Sequence, residues 1–142
     1  MKGMETVLII KDREAKRALN DSPDKFLKGA FRAMRKIGRN RRDYIRELLL
    51  LPKSGKKYRN LPNRSSAPGE APANQFGKLR KSATYTAYRY DYLAFGVKAY
   101  YGKFLEYGTE KIKPRPHVFT AGEDGRIEAI NTIEQEVGKE LL

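Results

Sequence analysis

The chain has no cysteine, a single histidine (His117) and few acids for its number of bases. The first absence excludes disulfides and thiolate chemistry and suits a reducing cytoplasm. A lone histidine without cysteine disfavours a zinc site, so neither metal nor cofactor is expected. No apolar run approaches the roughly 20 residues that cross a bilayer, and no signal-peptide hydrophobic region follows the basic N-terminus. Membrane insertion and export are therefore not expected. There is no nucleophile motif around a Ser or Asp, no glycine-rich phosphate loop and no acidic metal cluster, so no enzyme is expected either. Glu106 has no identifiable carboxylate partner; as a structural group it would accept hydrogen bonds from Thr109 or nearby backbone N–H groups, or pair with Arg115. His117, between Pro116 and Val118, reads as a packed or interface residue.

What is present in excess is positive charge: 30 Lys and Arg against 17 Asp and Glu, a net +13 in 142 residues. That length, with 39% hydrophobic residues, predicts a single domain over 1–142 with one modest core. The charge is uneven. Residues 28–64 hold thirteen Lys and Arg against Asp43 and Glu47, whereas residues 122–142 hold Arg126 and Lys139 against six acids. A cationic middle and an anionic end can neutralise phosphates, or can dock the acidic part of one copy on the basic part of the next.

In chain order, the β-branched run over 5–10 predicts a buried strand, and residues 11–20 a short charged helix or turn. Ser22, Pro23 and Asp24 then place a hydroxyl at a helix cap, proline in the first turn and an acid at the positive helix end. Leu27, Phe31, Met34, Ile37, Ile45, Leu48 and Leu49 form the inner side of the long helix that follows, and Pro52 stops it. Its other faces carry Lys28, Arg32, Arg35, Lys36, Arg39, Arg42 and Arg46, either as solvated surface or as a phosphate contact. Gly38 and Arg41 fall near the apolar stripe and mark either a thin point in the core or a close approach by another backbone. Residues 52–77 have no periodicity and read as an extended basic loop or arm. This segment is either mobile without a partner or ordered against DNA or an adjacent subunit, with Tyr58 available to stack.

Residues 79–90 and 92–98 alternate as two strands of a hairpin turning at Asp91. Leu79, Ala83, Tyr85 and Ala87 share one face of the first strand, and Leu93, Phe95 and Val97 supply the apolar face of the second. The tyrosines here serve as cross-strand sheet formers, with base stacking as the alternative. Tyr101, Phe104, Leu105 and Gly108 recur at helical steps, so a turn or two aims them at one neighbour or seals a corner, and Gly108 closes it at φ > 0. Pro114 and Pro116 interrupt regular structure. Beyond them a break at Gly122-Glu123-Asp124-Gly125 precedes a final helix with Ile127, Ile130, Ile133, Val137 and Leu141 inside and acids outside. The expected fold is α+β: a small, mainly antiparallel sheet packed against one long helix, with a C-terminal helix and a long basic loop.

The segment from Tyr101 to Thr109, followed by Arg115-Pro116 and Ala121, resembles the Tyr-Ala-x-Tyr-x-Glu-x-Gly-Thr and Arg-Pro signature of the tailed-phage head–tail joining and tail-completion proteins, the gene-product-ten-like tail-component family. Upstream, the segment from Arg64 to Pro72 and the run Gly77-Lys78-Leu79-Arg80-Lys81-Ser82 are similar to that family's Ser-x-Pro-Gly-Glu-x-Pro and Thr-Gly-x-Leu-Arg-x-Ser segments. The two blocks span 64–121 in the family's order. Phe76 stands where the family usually has Thr, and His117-Val118-Phe119 replaces its aromatic-aliphatic pair.

The resemblance implies a virion structural protein of the neck, connector or tail-completion region, made in the bacterial cytoplasm. It would act as a homo-oligomeric ring, with a hexamer as candidate size, around a channel for double-stranded DNA, and touch head-closure or tail-tube proteins. Gly77, Leu79, Tyr101, Phe104, Glu106, Gly108, Thr109, Arg115 and Pro116 would be the motif and subunit-contact residues. Lys53, Lys56, Lys57, Arg59, Arg64, Arg39 and Arg42 would face DNA without reading its sequence. The alternative is a free basic protein that binds nucleic acid without sequence specificity.

Overall fold

The computed structural model describes residues 4–7, 13, 17 and 20–141, the first four by backbone alone. The expected continuation of the first strand over 8–10 and most of the segment 11–20 lie outside the described residues.

The long helix is α1 (Pro23–Leu50), about 42 Å at 1.5 Å per residue. Ser22 occupies the cap position and its carbonyl accepts the Phe26 N–H at 3.0 Å, but its hydroxyl makes no capping bond, contrary to expectation. Leu51 turns to extended geometry (φ −59°, ψ 144°), as the clash with the ring of Pro52 requires, and the helix ends there.

The buried face of α1 is rotated from the expected one. Phe26, Ala30, Ala33, Met34, Ile37, Ile45 and Leu49 are buried together with Gly29 and Gly38, whereas Leu27, Phe31 and Leu48 are half-buried. Small residues mark the close approaches. A Cβ at Gly29 would lie 2.8 Å from both the Glu136 carbonyl oxygen and Val137 Cα, and one at Gly38 would lie 2.4 Å from the Tyr85 ring. Gly38 is thus the close approach rather than the thin point, made there by side chains.

The sheet is β1 (Met4–Val7), β2 (Ala83–Arg89) and β3 (Tyr92–Val97) in the antiparallel order β1-β3-β2. The two-residue alternation holds from Ala83 onward: Leu93, Phe95 and Val97 are buried, and Ala83, Tyr85 and Ala87 join the same core over α1. The chain turns at Tyr90 and Asp91, with a register shift between Ala87 and Arg89. Residues 79–82 are not strand. Gly77, at φ 80°, opens the short helix α2 (Lys78–Lys81), which places Leu79 in the core and returns the Ser82 N–H to the Lys78 carbonyl.

The remaining helices are α3 (Gly102–Tyr107), α4 (Val118–Asp124) and α5 (Arg126–Leu141). The expected break at 122–125 shrinks to Gly125, because α4 runs through Gly122. A Cβ at Gly125 would meet the Arg41 guanidinium at 2.1 Å. Along α5 the buried residues are Thr132, Glu136 and Val137, and Ile133 packs beside them; Ile127 and Ile130 are exposed, so the expected inner stripe is displaced by about a quarter of a turn.

Antiparallel packing of α1 with α4 and α5 makes a ladder of polar contacts. Lys28 meets Glu140 at 3.7 Å, Arg32 bonds to Glu140, and Lys36 donates to Glu136 at 3.2 Å. Farther along, Asn40 and Arg41 donate to Glu128, and the Tyr44 hydroxyl donates to Asp124 at 2.6 Å. Arg41 is buried, and its second nitrogen donates to the Ala121 carbonyl at 2.8 Å. Of the α5 acids expected to face outward, Glu128 and Glu134 are exposed, whereas Glu136 and Glu140 turn to α1 and meet Lys28, Arg32 and Lys36 within the same chain. Lys139 and Lys36 hold the Glu136 carboxyl below the usual range.

Candidate functional site

The aromatic segment forms a compact corner. Tyr101 and Leu105 pack on the core, while Tyr100, Phe104 and Tyr107 are exposed. Gly102 lies so close to Val97 Cγ2 (2.5 Å from a built Cβ) that α3 can start there only on glycine. Gly108 closes the helix at φ 76°, donating its N–H to the Phe104 carbonyl, and a Cβ there would strike the Ile112 carbonyl at 2.7 Å. Thr109 folds the next turn: its hydroxyl accepts the N–H groups of Lys111 and Ile112, and its own N–H bonds the Ile112 carbonyl. The chain then returns beside α3, with the Arg115 N–H on the Leu105 carbonyl at 2.7 Å.

Glu106 is the hub of this corner. Its carboxylate accepts the N–H groups of His117 and Val118 at 3.0 Å each and of Phe119 at 2.8 Å, capping α4 from eleven to thirteen residues upstream. His117 Nδ1 lies 2.9 Å from the same carboxylate and 3.1 Å from the Arg115 carbonyl. Burial pushes the Glu106 carboxyl up, but the hydrogen bonds from the His117 ring and from the Phe119, His117 and Val118 N–H groups outweigh it and hold the pKa at about 2. Of the partners expected for Glu106, the nearby backbone N–H groups are the ones it has; Thr109 and Arg115 bond elsewhere. His117 is fully buried, and its Nε2 has no partner among the described residues. The arrangement anchors a helix and offers no open position to a substrate.

Arg115 reaches instead to the upstream sequence block, donating to the Ser66 carbonyl and, at 2.9 Å, to the Ser66 hydroxyl. Beside it the Gly69 N–H bonds the Pro114 carbonyl at 3.2 Å. Residues 67–70 make a turn with Pro68 second and Gly69 third at φ 88°, closed by the Glu70 N–H on the Ala67 carbonyl. Glu70 also accepts from the Ser54 hydroxyl, the Ala67 N–H and the Ser54 N–H, which hold its carboxyl down at about 2. Gly55 and Lys56 pair with Ser65 through backbone bonds, and Asn63 bonds to Asn74 and Gln75. The segment 52–77 has no helix or strand, yet it is internally tied. Ser54 is the residue sequence reasoning missed, and Glu70, though within the Pro-Gly-Glu segment, was given no role; the signal was an acid closing a Pro-Gly turn.

The cations assigned to DNA have different surroundings. Lys53 is half-buried and donates to the Leu48 carbonyl at 2.7 Å; burial lowers its pKa and Glu70 partly restores it. Lys56 sits over the Tyr58 ring, Lys57 bonds the Leu61 carbonyl, and Arg64 bonds the Gly55 carbonyl. Lys56, Lys57, Arg59 and Arg64 are exposed, and among the described residues no acid pairs with them. Arg39 is exposed on α1; Arg42 pairs with Asp43 at 2.8 Å and covers the Tyr85 ring. No hydrogen bond or ion pair joins these two helix arginines to the loop cations.

A cleft of about 190 Å³ opens between α2, α3 and the end of the loop, lined by Leu49, Phe76, Leu79, Tyr101 and Leu105 among others. Among the described residues no group of His, Cys, Asp and Glu could hold a metal ion, and no helix is long and apolar enough to cross a membrane. No protein-family model, no curated protein and no solved structure matches this chain.

Proposed function

We propose that this chain is a structural subunit of the head–tail junction of a tailed phage, assembling as a homo-oligomeric ring around the DNA channel and acting by assembly rather than catalysis. The observation that carries the reading is the meeting of the two sequence blocks behind the family resemblance. Ser66 and Gly69 of the first block bond to Arg115 and Pro114 of the second, and Glu106 of the second caps the helix that follows its Arg-Pro. A motif scattered over 64–121 thus forms one hydrogen-bonded corner. Exposed Tyr100, Phe104, Tyr107 and Ile127 supply apolar surface for subunit contacts, a role the acids of α5 do not have to fill because Glu136 and Glu140 pair within the chain. Of the cations assigned to DNA, Lys56, Lys57, Arg59, Arg64 and Arg39 are the exposed ones without an acid partner among the described residues, left to approach DNA through phosphates alone.

The test is the size of the purified chain against concentration, with DNA binding measured against salt. Rings that grow with concentration and bind duplex weakly are expected. Changing Lys56, Lys57 and Arg59 to Glu should abolish DNA binding while leaving the fold and the rings intact. A monomer at all concentrations, binding duplex tightly with a steep salt slope, would overturn the proposal in favour of a free nucleic-acid-binding protein.

A further inference from the structure

The outer edge of β2 is an unfilled place in the sheet, since among the described residues β2 is paired on one side alone. The Lys98 N–H bonds the Ser82 carbonyl at 2.9 Å, which fixes the alternation of the ladder. The Ser82 carbonyl and the backbone groups of Thr84 and Thr86 turn toward β3; those of Ala83, Tyr85 and Ala87 turn outward. The outward carbonyl of Ala83 is met by an arginine of α1, with Arg46 Nη2 at 3.2 Å. Arg46 Nε is buried without an acceptor among the described residues. One turn earlier, Arg42 covers the Tyr85 ring at 5.4 Å, its Nε shared with Asp43.

The edge therefore offers the outward N–H and C=O groups of Tyr85 and Ala87 beside two guanidinium groups, one of which has an Nε without an acceptor among the described residues. A second copy adding its own β2 antiparallel here would set Arg42 and Arg46 against their equivalents. The charge selects an acidic guest. We propose that β2 accepts an extended acidic segment of a partner protein as a fourth strand. Carboxylates at alternate positions of that segment meet Arg42 and Arg46, and the intervening residues lie beside Thr84 and Thr86. This stands on the edge geometry and holds whether or not the chain forms a ring.

The probe is a short capped peptide alternating glutamate and threonine, followed by fluorescence anisotropy and by amide hydrogen exchange on the unmodified chain. Saturable binding is expected, slowing exchange of the Tyr85 and Ala87 amides at least roughly tenfold while Thr84 and Thr86, already in the ladder, do not change. Ala87→Pro removes an outward N–H without touching the β2–β3 ladder, and should weaken binding at least about tenfold; Arg46→Gln should do the same. The exchange measurement tests the proposal even where a variant fails to fold. Equal binding of a lysine–threonine peptide, exchange unchanged at Tyr85 and Ala87, or self-association that Ala87→Pro abolishes would each overturn it. Displacement of the peptide by duplex DNA through Arg42 and Arg46 would overturn it too, assigning those arginines to phosphate.

Discussion

Arg115 holds Ser66 by two atoms at once, its carbonyl and its hydroxyl, across 49 residues of sequence. With the Gly69 to Pro114 bond beside it, this contact fastens the basic loop to the turn after α3. Arg115→Met should therefore loosen the loop more than the core. We expect a loss of about 1–2 kcal/mol in denaturant unfolding and clearly faster trypsin cleavage at Lys56, Lys57 and Arg59, read by mass spectrometry. Cleavage at the wild-type rate would show that the loop holds itself without the arginine.

Glu106→Ala leaves the N–H groups of His117, Val118 and Phe119 at the start of α4 without their acceptor, the first two of these bonds being buried, and leaves the His117 ring only the Arg115 carbonyl. The expected cost is about 3 kcal/mol, seen as a lower thermal midpoint, and α4 amides should exchange faster than those of α1.

The same carboxylate sets a pH dependence. Its folded pKa, about 2, lies below the ordinary 4.5, so its contribution is complete above pH 4.5 and is lost as the pH falls toward 2. Glu70 titrates in the same window, so the informative quantity is a difference: Glu106→Gln should show a shallower stability slope between those pH values than the wild-type chain. Parallel slopes would remove Glu106 from the account.

Two glycines facing α5 or lying on it should respond with opposite signs. At Gly29 a methyl group meets backbone of α5 at 2.8 Å, so Gly29→Ala should cost about 2 kcal/mol by forcing the helices apart. At Gly138 nothing lies within 4 Å, and Gly138→Ala should gain about 0.5 kcal/mol from helix propensity. Chemical denaturation of both variants checks the pair.

On the polar ladder, Lys36 is half-exposed and Glu136 nearly enclosed. Lys36→Met should change stability by under about 1 kcal/mol, whereas Glu136→Gln, which weakens contacts to Lys36, Lys139 and Arg32 together, should cost more and flatten the salt dependence of unfolding.

Local regularities of the sequence carried much of the fold. The alternation of Leu93, Phe95 and Val97 marks a strand buried on one face, and the proline pair Pro23 and Pro52 brackets α1 closely. What could not be read lies in long-range partners. Nothing near Val118 announces a helix start, because its cap is Glu106. The apolar stripe of α1 looked to be set by its large residues, yet the close approach of α5 selects Gly29, Ala30 and Ala33. Ile127 and Ile130 are as hydrophobic as any core residue and are exposed all the same, while Glu136 is buried because Lys36 lies across from it. At the site, the sequence grouped Glu106, Gly108 and Arg115 correctly as one corner, but the bond from Arg115 to Ser66 required the fold.

The ladder between α1 and α5 has one more effect, on how counter-ions gather around the protein. Lys28, Arg32 and Lys36 each lie beside Glu136 or Glu140, whereas among the described residues Lys56, Lys57, Arg59 and Arg64 have no acid beside them. The field of the loop is therefore not cancelled at close range, and dissolved anions collect about it more than about the ladder.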